Sequence, residues 1–185
     1  EELVGALAHL MPLNLSAANA ACQVAERILQ DSPKDDVAFV GINGAQGSGK
    51  STMTRLVAEA LERFHGAAAV GMSLDDFYLT KAERQELART VHPLCATRGV
   101  PGTHDVGLMS ATIDRLRRAA PTDVTPLPRF DKLADDREPQ AAWPVFGGRP
   151  KVILLEGWCV GVRQSDMPPY AGPINELERN EDPDG

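Results

Sequence analysis

The sequence contains no apolar run of the roughly 18 residues that a membrane-crossing helix needs, and no amino-terminal stretch has the pattern of a signal peptide. Cysteine is scarce. Cys22, Cys95 and Cys159 are odd in number, scattered and without zinc-site spacing, so reduced thiols are expected rather than a disulfide framework or a metal finger. Positive charge is also short: 19 Lys and Arg stand against 26 Asp and Glu, a net charge of −7. That balance argues against a nonspecific nucleic-acid binder, although an acidic protein can still hold a local basic pocket. No internal repeat and no coiled-coil pattern is present. These absences imply no membrane and no nucleic acid as partner. The expected location is cytoplasmic, or an organelle stroma if a transit peptide has been removed. The chain opens on Glu1 rather than Met, so the natural amino terminus is expected upstream.

What is there is ordinary globular composition: 185 residues, 43% hydrophobic and 24% charged, enough for one well-packed core. Ser16 to Leu29 sets Ala17, Ala21, Val24, Ala25 and Ile28 on one helical face, with Ser16 as its N-cap. Residues 1–36 therefore read as an amino-terminal helical segment packing on a core at 37–185. Val37 to Ile42 has strand length and is followed by glycines and a helix from Lys50 to Phe64, whose Leu56, Val57, Ala60, Leu61 and Phe64 recur at core-facing spacing. Ala67 to Leu74 reads as the next strand, and Lys81 to Ala88 as a short helix. Arg89 to Thr103 has the grammar of a loop, and Asp105 caps a helix from Val106 to Ala119. Pro121 to Gly148, with five prolines, would be called linker by composition. Val152 to Leu155 predicts a buried parallel strand, and the acidic tail from Asn175 a solvated end. Strands alternating with helices predict an open α/β sheet.

Between the first strand and its helix lies Gly44-Ala45-Gln46-Gly47-Ser48-Gly49-Lys50-Ser51, which fits G-x-x-x-x-G-K-[ST]. Glycines let successive backbone N–H groups converge on phosphate oxygens, and the helix start adds its positive dipole end. Lys50 supplies a charge for the β- and γ-phosphates, and Ser51 a hydroxyl for Mg²⁺. Thr52 is counted with the loop, where it caps or packs against the first helical turn.

Ligands of open α/β sheets bind beyond the carboxyl ends of the strands, and acids fall at two of those ends. Glu156 follows Val152–Leu155 and is a magnesium ligand, direct or through water. Asp75 is the candidate for accepting a proton from an attacking hydroxyl, with adjacent Asp76 as the alternative. Arg98, His104 and Arg129 are candidates for holding an acidic substrate, and Arg137 or Lys132 offers a further cation that could instead neutralise the ATP phosphates. Phe77-Tyr78 reads as a wedge fixing the Asp75 loop, with Tyr78 also on the substrate side. Trp143 and Trp158 read as packing residues.

Five blocks in fixed order, GINGAQGSGKST (41–52), SLDDFYLT (73–80), TRGVPGTHDV (97–106), PRFDKLADDR (128–137) and VILLEGWCVG (152–161), carry a resemblance. The sequence resembles the D-glycerate 3-kinase family of plants and related fungal kinase-like proteins, within the P-loop group of uridine kinase, phosphoribulokinase and pantothenate kinase. The resemblance implies a three-layer α/β/α P-loop NTPase fold lacking its C-terminal part, and ATP with Mg²⁺. It implies Lys50 and Asp75 as catalytic residues, Ser51 and Glu156 at the metal, and Arg98, His104, Asp105 and Arg137 on the substrate side. Asp135 stands where uridine kinases carry a base-contacting His, and Phe130 where they carry Tyr. The expected acceptor is thus a small hydroxy acid, most of all D-glycerate. A uridine-, pantothenate- or sugar-like alcohol, or ATP binding without catalysis, is the alternative. The sequence ends before the helical lid such kinases carry, so activity of these residues alone is in question.

Overall fold

A run with no polar face has to be covered on both sides, and Val152-Ile153-Leu154-Leu155 is such a run. The computed structural model describes residues 15–166 and 171–182. Its elements, in chain order, are α1 (Leu15–Asp31), β1 (Ala38–Asn43), α2 (Lys50–His65), β2 (Ala69–Ser73), α3 (Lys81–Thr90), α4 (Val106–Arg118), β3 (Val124–Pro126), β4 (Phe130–Asp131), β5 (Asp136–Arg137), β6 (Val145–Gly147), β7 (Val152–Gly157) and α5 (Glu176–Glu181). The apolar run is the centre of a parallel sheet in the order β1-β7-β2.

Alternation along β7 splits the core into two faces. Val152 and Leu154 pack with Ala18, Ala21 and Ala25 of α1 and with Leu56, Val57, Ala60 and Leu61 of α2. Ile153 and Leu155 point the other way, onto Val70, Met72, Phe77 and Leu116, with Leu108 and Ile113 of α4 against them. Helices therefore cover both sheet faces, giving the open α/β fold in three layers. Each fully buried aliphatic side chain of this kind contributes about 1.5–3 kcal/mol.

Several boundaries differ from the sequence reading. The first helix opens at Leu15, so Ser16 lies within its first turn instead of capping it. Its buried stripe runs through Ala18, Ala21, Ala25 and Ile28, while Val24 is 39% exposed and turns to the rim. The expected helical stretch at 1–14 lies outside the described residues. Leu74 belongs to a 3₁₀ turn, Leu74–Phe77, and not to β2, because Ser73 accepts the Asp75 N–H and ends the strand. The linker-like stretch is ordered as two small antiparallel pairs, β3 with β6 and β4 with β5. Within the acidic tail, Asn175 caps the exposed α5 by accepting the Glu178 N–H at 2.8 Å. Asp105 does cap α4, through the Leu108 N–H at 2.8 Å.

Candidate active site

Parallel pairing brings three chemically distinct strand ends side by side. Glu156, near the carboxyl end of β7, is in register with Ile42 of β1 and Ser73 of β2. One neighbour leads into the glycine loop, and the other into the Asp75-Asp76 turn. The sequence between them is long, but the register leaves the three segments adjacent.

The loop has the backbone its residue types allow. Gly47 and Gly49 take φ of 74° and 87°, left-handed values that cost glycine little. At Gly44 a Cβ would come within 2.9 Å of Ser48 Oγ, so the loop can close only on glycine there. Gly49 begins α2 without a side-chain cap, which leaves the first amides of that helix to meet an anion. The Lys50 ammonium folds back and donates to the Ala45 carbonyl at 2.9 Å. Ser51 Oγ donates to Glu156 Oε1 at 2.6 Å, joining the helix start to the strand end. The Glu156 residue is 6% exposed, held between strands with the hydroxyl as its partner. A hydroxyl and a carboxylate oxygen at this distance are hard donors that fit Mg²⁺, which binds few protein groups and completes its shell with water and phosphate.

Across a cleft of about 700 Å³ from the loop lie Asp75, Asp76, Arg129 and Lys132. Asp75 Oδ2 accepts from Lys132 Nζ at 2.6 Å. Burial, followed by the Asp75 charge, pushes the Tyr78 phenol up to about 12, so it stays neutral beside the carboxylate. Asp76 is differently engaged: Oδ1 accepts the Phe130 N–H at 3.3 Å and Oδ2 lies 3.7 Å from Arg129 Nη1. Burial raises its pKa, and Arg129 and the amide only partly oppose that.

The remaining sequence candidates separate from the cleft. His104 stacks on Tyr78 with ring centroids 4.3 Å apart; burial lowers its pKa, and its Nε2 is enclosed without a partner. Arg137 donates to the Tyr78 carbonyl at 2.8 Å and to Asp105 at 2.9 Å, so both side chains brace the turn. Arg98 pairs with Asp135, which Arg84 also holds at 2.8 Å. None of these lines the cleft. Tyr78 does not line it either, and of the loop residues Gln46, Gly47, Lys50 and Ser51 form its wall.

Two participants were not assigned from sequence. Trp158, read as packing, is 43% exposed and lines the cleft. Arg84 is wholly buried in α3, and no pattern distinguishes it from the surface arginines of that helix. The hint available for Trp158 was its place two residues beyond Glu156, at the mouth of the sheet.

No protein-family model matches the sequence. The chain is 36% identical over 144 residues to the uncharacterized kinase mug58 of Schizosaccharomyces pombe, covering 74% of this chain and 51% of that protein. It is 34% identical over 139 residues to the chloroplastic D-glycerate 3-kinase of Arabidopsis thaliana, covering 70% of this chain and 30% of the relative. The D-glycerate 3-kinase structure from Cryptococcus neoformans superposes with a TM-score of 0.60 at 26% identity, over 89% of this chain and 55% of that one. The chain thus spans about half or less of the length of these relatives. It has the P-loop kinase fold and is similar in sequence to kinases that include D-glycerate 3-kinase and pantothenate kinase.

Proposed function

We propose that this chain is the nucleotide-binding part of an ATP-dependent kinase that phosphorylates a hydroxyl of a small hydroxy acid, D-glycerate first among them. The reading rests on one observation above others. The Ser51–Glu156 pair and the Asp75–Lys132 pair line the same cleft from two sides. One pair suits a metal-bound triphosphate, and the other suits an alcohol that carries its own negative charge.

Bound ATP and Mg²⁺ would supply the phosphoryl group and the charge that offsets its oxygens. The loop amides and Lys50 hold the phosphates, with Lys50 giving up the Ala45 carbonyl to do so. Ser51 and Glu156 are the metal residues. Asp75 orients the acceptor hydroxyl and takes its proton as the oxygen attacks. Asp76 is less suited to that task, because its side chain is more buried, 16% exposed against 29% for Asp75, and it anchors the Phe130 N–H. The Ser73 hydroxyl, which accepts the Asp75 N–H, holds the turn that places the carboxylate at the cleft.

The acid acceptor is favoured by the cations beside Asp75 and by the relatives named D-glycerate 3-kinase. Pantothenate has a specific claim as second acceptor, since pantothenate kinase of Sinorhizobium fredii is 26% identical over 91% of this chain and 48% of its own length. ADP release by the full-length protein, measured with D-glycerate, pantothenate and uridine in parallel, separates the readings. Turnover of D-glycerate alone is expected. Turnover of uridine without either acid would reject the hydroxy-acid assignment.

A further inference from the structure

Of the cations expected to meet an acidic acceptor, most are already committed. Arg98 is paired with Asp135, and Arg137 with Asp105 and the Tyr78 carbonyl. His104 is held toward its neutral form by burial, which outweighs the pull of Asp75, and is stacked behind Tyr78. Lys50 and Arg55 sit on the nucleotide side, at the start of α2. On the acceptor wall Arg129 faces Asp76, 3.7 Å away, whereas Lys132 donates at 2.6 Å to Asp75, the carboxylate that meets the hydroxyl.

We propose that Lys132 is the specificity-determining residue for the acceptor's carboxylate, and that it screens Asp75 until such a carboxylate draws it away. This inference rests on the hydroxy-acid reading above. The side chain of Lys132 is 60% exposed and that of Asp75 29%, so their ion pair stands in water at the cleft wall. Exposed pairs of this kind contribute little, and exchanging one carboxylate for another costs little. The backbone under Lys132 is, by contrast, fixed. The β4–β5 turn that carries it is gripped at Asp135 by the buried Arg84 and by Arg98. Asp136 accepts the Lys81 N–H at 2.9 Å, and Phe130 donates its N–H to Asp76 at 3.3 Å. A rigid post thus presents a mobile ammonium.

A small hydroxy acid whose hydroxyl meets Asp75 carries its carboxylate within reach of that ammonium. When Lys132 moves onto it, Asp75 loses its ion-pair partner and accepts the hydroxyl as a hydrogen-bond donor. A neutral alcohol offers nothing to move Lys132, and Asp75 stays engaged. The pair therefore selects against uncharged alcohols as well as for acids.

The test compares D-glycerate with its uncharged amide, using full-length wild type, Lys132→Met and Lys132→Arg. Wild type is expected to prefer the acid. Lys132→Met should raise the acceptor KM by about 10- to 100-fold, the span expected for one charge-assisted hydrogen bond. It should also erase the preference for acid over amide while leaving the KM for ATP within about twofold. Lys132→Arg should restore much of the preference. Calorimetric binding of D-glycerate to the protein loaded with a non-hydrolysable ATP analogue should weaken in parallel. A Lys132→Met variant that keeps the acid-over-amide preference overturns this inference and leaves the hydroxy-acid reading intact. A wild type that uses no acid, or uses the amide equally well, overturns that reading and this inference together.

Discussion

At Asp75 three neighbours decide what one carboxylate can do. Lys132 neutralises it, the buried Tyr78 phenol stays neutral beside it, and the Ser73 hydroxyl fixes its backbone. Substituting Asp75→Asn should lower kcat by about 10²- to 10⁴-fold, the range for a proton acceptor in general base catalysis. ATP affinity should change little, because the nucleotide residues lie across the cleft; near-normal turnover would remove Asp75 from its role. His104 makes a different prediction. Burial holds its folded pKa below 6.5, so on acidification the unfolded chain takes up the proton first. Stability is therefore complete above about 6.5 and falls as pH drops from there toward the lower folded value. His104→Phe preserves the stack on Tyr78, and chemical denaturation at a series of pH values should find that slope reduced. Sequence alone gave His104 to the substrate because of its residue type. Its burial depends on Tyr78 folding over it, which no local pattern contains.

Elements were legible where one physical demand repeats along the chain. The spacing of Leu56, Val57, Ala60 and Leu61 gives α2, and the unbroken apolar run gives β7. The phosphate loop was legible for a similar reason: the Ser48 and Lys50 side chains crowding Gly44 and positive φ at Gly47 and Gly49 restrict the residues allowed. The β4–β5 turn was not. Each of its strands has two residues, and its stretch reads as charged linker. What orders it is distant: Arg84 from α3, Arg98 from the following loop, and Asp76 from the turn after β2. The Phe130 ring centroid lies 5.5 and 5.9 Å from the guanidinium carbons of Arg84 and Arg98. Replacing Arg84 with Met should cost about 1.5–3 kcal/mol, the range for losing a hydrogen bond to a charged group, since Arg98 still holds Asp135. The midpoint of urea unfolding measures that loss. A substitution tolerated without change would mean that the turn is ordered by other contacts.

Across the whole molecule, net charge and local charge oppose each other. The chain carries −7 overall, yet its cleft gathers Lys50, Arg55, Arg129 and Lys132 around three carboxylates, Asp75, Asp76 and Glu156. An acidic surface discourages polyanions in general, while the cleft admits small ones. The fold supplies this contrast by ending its three parallel strands in a glycine loop, a pair of aspartates and a buried glutamate. Because the chain spans only part of its relatives' length, the decisive test belongs to the full-length protein. Mass spectrometry of the products formed from D-glycerate, ATP and Mg²⁺ addresses the central claim most directly. A phosphoglycerate in step with ADP, lost in Asp75→Asn, is the expected result. ADP formed without any phosphorylated acid, or a phosphoglycerate yield untouched by Asp75→Asn, would contradict the account.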